Sequence, residues 1–160
     1  MNPKIEYLHL LFKVNTDLFN KALEMSANGD HFERPADKAN SLHWVAGHLT
    51  NSRFTIAQML GLKEEYEYDS LFSFGSEIKE IDAYPSLDEI KRSWEEISAK
   101  MLALFESVTD DHLASEAPFE VPGVPKRIGE MVAFLQLHDS YHVGQLAYIN
   151  RLLGAERLVG

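Results

Sequence analysis

Hydrophobic residues return every three or four positions over four long segments, and over no comparable length do they alternate with polar ones. That is the period of a helix with one buried stripe rather than of a strand. The first segment covers residues 4 to 25. Ile5, Leu8, Phe12, Thr16, Phe19 and Leu23 share its stripe, and Asn28-Gly29 supplies a stop. The second covers residues 41 to 60, with Asn40 or Ser41 placed to cap its N-terminus and Gly61 to end it. The third opens on Ser86-Leu87-Asp88-Glu89 just after Pro85, which is a capping-box pattern. Leu87, Ile90, Trp94, Ile97, Met101, Leu104 and Val108 follow in steps of three and four, the seam of a bundle helix. The fourth covers residues 127 to 153 and stops at Gly154.

Residues 62 to 85 carry no such stripe and are rich in Tyr and Phe. A short helix is expected near residues 76 to 84. A link this long lets helices two and three run parallel, where a short one would force a hairpin. Its aromatic part, residues 66 to 74, is expected to cover a pocket or a dimer interface, because exposed aromatic clusters are unusual on monomers. Pro122-Gly123 predicts a type II turn at residues 120 to 124. No repeat, low-complexity tract or linker interrupts the chain. The expected architecture is one all-α domain over residues 1–160, a four-helix bundle with a long connection between helices two and three.

Composition narrows the function classes. The 160 residues suffice for a sizeable core. The formal net charge is −10 and the Lys and Arg are scattered, so phosphates would be repelled and neither nucleic acid nor an anionic membrane is an expected partner. No segment reaches the roughly 18 consecutive apolar residues of a membrane span. The start, MNPKIEYLHLLFKVN, lacks the pattern of a secretory signal, so a cytoplasmic location is the expectation. There is no cysteine, which removes disulfides, thiolate metal sites and cysteine nucleophiles.

The histidines are the unusual feature. His138 and His142 lie one turn apart on the most apolar segment. On a helical wheel Met131, Phe134, Leu135, Gln145, Leu146, Ile149 and Leu152 fall within about 80° of His138, as does His142. Two buried imidazoles without partners are costly; a shared metal satisfies both, as would separate hydrogen bonds in an ordinary core. On helix two, His48 shares its face with Trp44, Val45, Ser52, Thr55, Ile56 and Met59, whereas His43 falls about 140° away and is expected in solvent. Ser52 and Thr55 make a small polar patch beside His48, though such hydroxyls commonly bond back to their own helix. His9 is expected at the edge of the core, and His31 and His112 in exposed loops. His48, His138 and His142 remain as the set able to converge between two packed helices. Three imidazoles with open positions form a catalytic rather than a closed structural metal site.

These residues resemble a known family. W-x-x-x-H-L, Trp44 to Leu49, followed far downstream by H-x-x-x-H-x-G-Q-L, His138 to Leu146, is similar to the DinB/YfiT-like four-helix-bundle metalloenzymes, over nearly the whole chain. The resemblance implies a metal bound by His48, His138 and His142, often zinc or nickel, and a homodimer. It also implies, for some relatives, a transferase or isomerase using a low-molecular-weight thiol such as bacillithiol or mycothiol. Relatives often carry Arg directly after the second motif histidine, where this chain has Val143.

HDSYH also looks like a shortened H-E-x-x-H motif with Asp139 at the general-base position. A metalloprotease is not expected: that class needs a further ligand, for which only Glu156 in the short tail is available, and a bundle lacks the edge strand that holds peptide. Asp139 is nonetheless a candidate catalytic group, with a solvated helix carboxylate as the alternative reading. Tyr141 is a candidate proton or hydrogen-bond donor, and Gln145 a candidate cofactor-binding or ligand-orienting residue. Zinc is the first expectation for the metal, with nickel or iron also suited to imidazole. The expected function is a divalent-metal-dependent enzyme on a small molecule, a thiol-dependent S-transferase or a hydrolase. The competing reading is a non-catalytic stress-response or small-molecule-binding bundle with a structural metal or none.

Overall fold

The structure is a computed structural model and describes residues 2–26, 30–36 and 39–159. Four long helices dominate: α1 (Glu6–Met25), α2 (Leu42–Met59), α4 (Leu87–Phe105) and α6 (Ile128–Leu152). Two short ones sit in the connections, α3 (Asp69–Phe72) and α5 (Asp110–Ala114), with 3-10 turns at Asp30–Phe32 and Ile81–Ala83. The four periodic segments thus became the four long helices. The termini follow local chemistry. Ser41 accepts from the Trp44 amide, and Ser86 and Glu89 form both halves of the capping box. Gly61 and Gly154 follow their helices at φ +110° and +88°, where a Cβ would be strained. The Pro122-Gly123 turn closes with the Val124 amide on the Val121 carbonyl. The Asn28-Gly29 stop lies outside the described residues.

Some local expectations need correction. The helix expected near residues 76 to 84 is only the Ile81–Ala83 turn, while α3 and α5 were not anticipated. Four- and five-residue helices are too short to show a hydrophobic period. α4 ends at Phe105, so Val108 lies beyond the seam assigned to it. Leu152, placed on the buried stripe of α6, is 52% exposed. Among the described residues the only extended pairing is one bridge, Glu116 with Arg127.

Around the bundle, α1 packs on α4 and α6, and α2 packs on the same two helices from the other side. Asn15 reaches Asp139 and Asn150 reaches the Ala22 carbonyl, so α1 and α6 run parallel. Leu42, Val45 and Leu49 share a core cluster with Ile90 and Trp94, while Ile56 and Met59 share another with Ile97, Met101 and Phe105. α2 and α4 are therefore parallel too, as their long connection allows.

Between the two core clusters lies a polar layer to which every long helix contributes. Arg53, fully buried, grips fully buried Asp139 through Nε to Oδ1 at 3.1 Å and Nη2 to Oδ2 at 2.8 Å. Its remaining donors reach the Phe12 carbonyl at 3.1 Å and Thr16 Oγ1 at 3.2 Å, with Ser98 Oγ at 3.5 Å. The guanidinium also lies over the Trp94 and Phe12 rings, 4.3 and 4.9 Å from their centroids. Asn15 completes the layer by donating to Asp139 Oδ2 and Ser140 Oγ, both at 2.9 Å. Asp139 is thus not a solvated carboxylate: it anchors α6 to α1 and α2.

Candidate metal centre

The i, i+4 spacing sets His138 and His142 one above the other on α6, and α2 brings His48 against them. His138 Nε2 lies 3.1 Å from His48 Nε2 and 3.0 Å from His142 Nε2. Three nitrogens around one point is the arrangement of a ligand set. With Zn–N near 2.0–2.1 Å, the edge of a tetrahedron is about 3.3 Å, close to these separations.

The outer nitrogens fix the tautomers. His48 Nδ1 donates to the Phe72 carbonyl at 2.7 Å, and His142 Nδ1 donates to Gln145 Oε1 at 2.6 Å. Neutral rings that carry their proton on Nδ1 present a bare lone pair at Nε2. Both lone pairs face His138, whose own ring has one proton to offer when neutral. A single proton cannot satisfy both contacts fully, whereas one cation would accept all three lone pairs. A carbonyl or amide oxygen on the far nitrogen is also the usual support of a metal-ligating histidine. The donor set therefore fits a divalent cation. His138 is the least supported of the three, since its Nδ1 has no hydrogen-bond partner.

Burial and neighbours keep the set neutral. Desolvation, then repulsion from His142 and His48, pushes the His138 pKa down to about 3. Desolvation and His48 take His142 down to about 4 against opposing pulls from Gln145 and Asp139. His48 is lowered as well, chiefly by desolvation. The Trp44 indole stacks on His48 at 4.8 Å and 12°, and the Tyr141 ring meets His142 edge-on at 5.0 Å.

The family model of the DinB superfamily matches residues 11–146, a span that contains all three histidines. The chain belongs to the DinB superfamily. Its fold is similar to the crystal structure of a DinB-like protein, YjoA, from Bacillus subtilis. That similarity has a TM-score of 0.67 at 17% identity and covers 97% of each chain. No curated protein sequence matched.

The remaining candidates of this DinB-superfamily protein fall as follows. Gln145 sits beside the cluster and holds His142, with its Nε2 donating to Tyr141 Oη at 3.1 Å. Tyr141 itself is 62% exposed at the outer rim. Val143 is buried in the core. Thr55 bonds back to the Asn51 carbonyl of its own helix, while Ser52 Oγ is buried without a partner. His9 is half-buried against Phe105, as expected of an edge position. His112 is not in an exposed loop: on α5 it is half-buried, with Nε2 on the Met59 carbonyl at 2.7 Å. His31 is half-buried against Phe32 and His43.

His43 departs furthest from expectation. It does point away from the cluster, but it is only 1% exposed. The wheel assumed that the face of α2 opposite His48 meets water. In the structure the Asp30–Phe32 turn and Tyr84 cover it, with Phe32 stacked on His43 at 4.1 Å. Desolvation, with some repulsion from His31, takes its pKa down to about 4, the Pro85 carbonyl pulling weakly the other way. The unfolded chain, with an ordinary His near 6.5, binds more protons than the folded one between these values. Stability due to His43 is thus present above pH 6.5 and lost as pH falls toward 4. Urea denaturation should show His43 alone costing about 2 kcal/mol between pH 7.5 and 5, and His43→Phe should remove that share of the slope.

The aromatic connection supplies a support that the periodicity did not reveal. Tyr66 and Phe72 are buried against α2, whereas Phe74 is 98% exposed. Phe72 fits over Gly47: a Cβ there would come within 2.2 Å of its ring. The same residue's carbonyl holds His48 Nδ1. Gly47→Ala must therefore displace Phe72 and with it that hydrogen bond. The expected result is a loss of about 1–3 kcal/mol in stability and of roughly tenfold or more in zinc affinity, by calorimetry on folded protein. Unchanged affinity would show that the carbonyl does not orient the ligand.

Proposed function

We propose that this protein is a divalent-metal-dependent enzyme acting on a small molecule, by hydrolysis or by transfer to a low-molecular-weight thiol. The observation that carries the reading is the convergence of three Nε2 lone pairs, two of them fixed by Nδ1–H bonds to oxygen. His48, His138 and His142 would hold the cation, zinc first and nickel or iron as alternatives. Such a cation supplies Lewis acidity, which turns water or a thiol into a nucleophile near neutral pH. The chain has no cysteine, so a thiol must come from solution.

The protein's own groups position and exclude. Gln145 orients His142, and Tyr141 Oη, at the exposed rim, is placed to donate a hydrogen bond to a bound substrate. Asp139 takes a positioning role through Arg53 rather than that of a general base, because both its oxygens are engaged. We further propose a cytoplasmic homodimer. Supporting the dimer are large apolar side chains exposed on two adjacent helices, Tyr7, Leu10 and Leu11 on α1 and Leu137, Tyr148 and Leu152 on α6. No described helix is long and apolar enough to cross a membrane.

The test is metal analysis of untagged protein, then turnover of small esters, amides and electrophiles with and without added thiol, His142→Ala serving as control. Metal-dependent turnover in one arm identifies the reaction. Stoichiometric metal with no turnover in either arm would favour a non-catalytic bundle.

A further inference from the structure

The histidine cluster is framed by aromatic rings. Trp44 stacks on His48, Tyr141 meets His142 edge-on, and Phe134 lies four residues before His138 on α6. Trp44 and Phe134 are half-buried, and Tyr141 is 62% exposed. His138 is the half-buried member of a set whose other two rings are buried, so the cluster meets solvent on its side.

Charge is missing from the same two helices. Among residues 42–59 the only Asp, Glu, Lys or Arg is Arg53, and among residues 131–150 the only one is Asp139. Both are fully buried and paired with each other. Charged residues make up 25% of the chain, so these two stretches are depleted, and neither offers a counter-ion to a molecule seated between them. The connection adds none at its point of contact: Phe72, whose carbonyl holds His48, is followed by Ser73, Phe74, Gly75 and Ser76. Further along α2, Asn51 and Thr55 line a cavity of about 320 Å³ whose charged residues are Glu65 and Asp69, both acidic. Arg34 and Lys79 share a cavity with Trp44, but they do so beside His43, the ring turned away from the cluster. An ionised group on the body of a substrate would lose hydration here without a partner, or would meet a carboxylate.

We propose that the centre takes substrates whose body is uncharged and aromatic, its ring against Trp44 and Tyr141 while the reacting group faces the three Nε2 atoms. The inference rests on the metal-enzyme reading and adds a substrate class to it. An aromatic body gains from covering apolar rings, and the site asks for no charge in return.

Hydroxamates are suitable probes, because the group that chelates the metal stays constant while the body varies. Zinc content of the full-length protein is measured first, and the zinc-loaded protein is then titrated by calorimetry. Benzohydroxamate should bind at least about tenfold more tightly than acetohydroxamate, the gain expected from covering one ring. A 4-carboxylate on the benzohydroxamate ring should cost about tenfold, and a 4-trimethylammonium group should bring no gain over the unsubstituted ring. Tyr141→Ala alters an exposed side chain, and Trp44→Leu keeps an apolar one. Each should cut the preference for the aromatic probe several-fold while thermal melts show a folded protein. Absence of hydroxamate binding to zinc-loaded protein, equal affinity for the acetyl and benzoyl probes, or a carboxylate that costs nothing would each overturn the proposal. So would indifference of the ring preference to both substitutions. Tighter binding of the cationic probe would overturn it too, and would direct the body to Glu65 and Asp69 instead. All of these outcomes leave the metal-enzyme reading standing; protein that binds no zinc would remove that reading and this inference together.

Discussion

Arg53→Met destabilises the bundle by about 3–5 kcal/mol, the usual cost of leaving a buried charge without its partner. The stranded group is Asp139, which is fully buried and among the described residues retains Asn15 as its side-chain donor. In a chain of this size such a loss lowers the melting temperature by roughly 10 °C or more. Asp139→Asn costs less than Arg53→Met, because the amide oxygen still accepts one of the Arg53 hydrogen bonds. The double variant Arg53→Met/Asp139→Leu should recover much of the lost stability, since a buried ion pair seldom outperforms apolar packing. What the double variant does not recover is register. Asp139 directly follows His138, and Arg53 lies five residues after His48, so the ion pair couples the two helices that carry the cluster. A double variant that melts like the parent but binds zinc more weakly would separate the positioning role from the stabilising one. Equal zinc affinity would reduce the pair to a stability element.

The bundle was legible because its signal is long. Twenty residues of α1 or nineteen of α4 repeat the same stripe many times, and the capping box at Ser86 needs no tertiary partner. His48, His138 and His142 were legible for the same reason, as polar residues in the middle of such stripes. The supports of the site were not. Phe72 touches His48 through a backbone carbonyl, which no side-chain pattern encodes, and it does so from a connection twenty-four residues away. Arg53 was hidden by its type: on a wheel a lone arginine reads as solvent-facing, and only the four-helix packing reveals an aspartate, a carbonyl and two aromatic rings around it. His43 was misread on related grounds. A wheel distinguishes two faces of α2, but the Asp30–Phe32 turn and Tyr84 bury His43 on the face turned away from the cluster.

Single His→Ala substitutions test the centre most directly. His48→Ala, His138→Ala and His142→Ala should each lower zinc affinity by more than about 100-fold, beyond the roughly 10–100-fold that loss of an outer-shell partner costs. His43→Ala should leave it within a few-fold of the parent, because that ring lies on the other side of α2 among Phe32 and Tyr84. Gln145→Ala should fall between, since it removes only the acceptor that fixes the His142 tautomer. The pH dependence is a second handle on the same ligands. Free imidazoles would begin to compete for protons near pH 6.5. Here burial and mutual repulsion have already driven His138 down to about 3 and His142 to about 4. Zinc affinity should therefore hold through pH 6 and fade only as pH approaches those values, with unfolding from His43 setting the lower limit of the measurement. Isothermal titration from pH 7.5 to 5 on parent and His43→Phe protein separates the two effects. A full loss of affinity already near pH 6.5 in folded protein, or a His43→Ala defect as large as that of His138→Ala, would mean that the cation binds elsewhere.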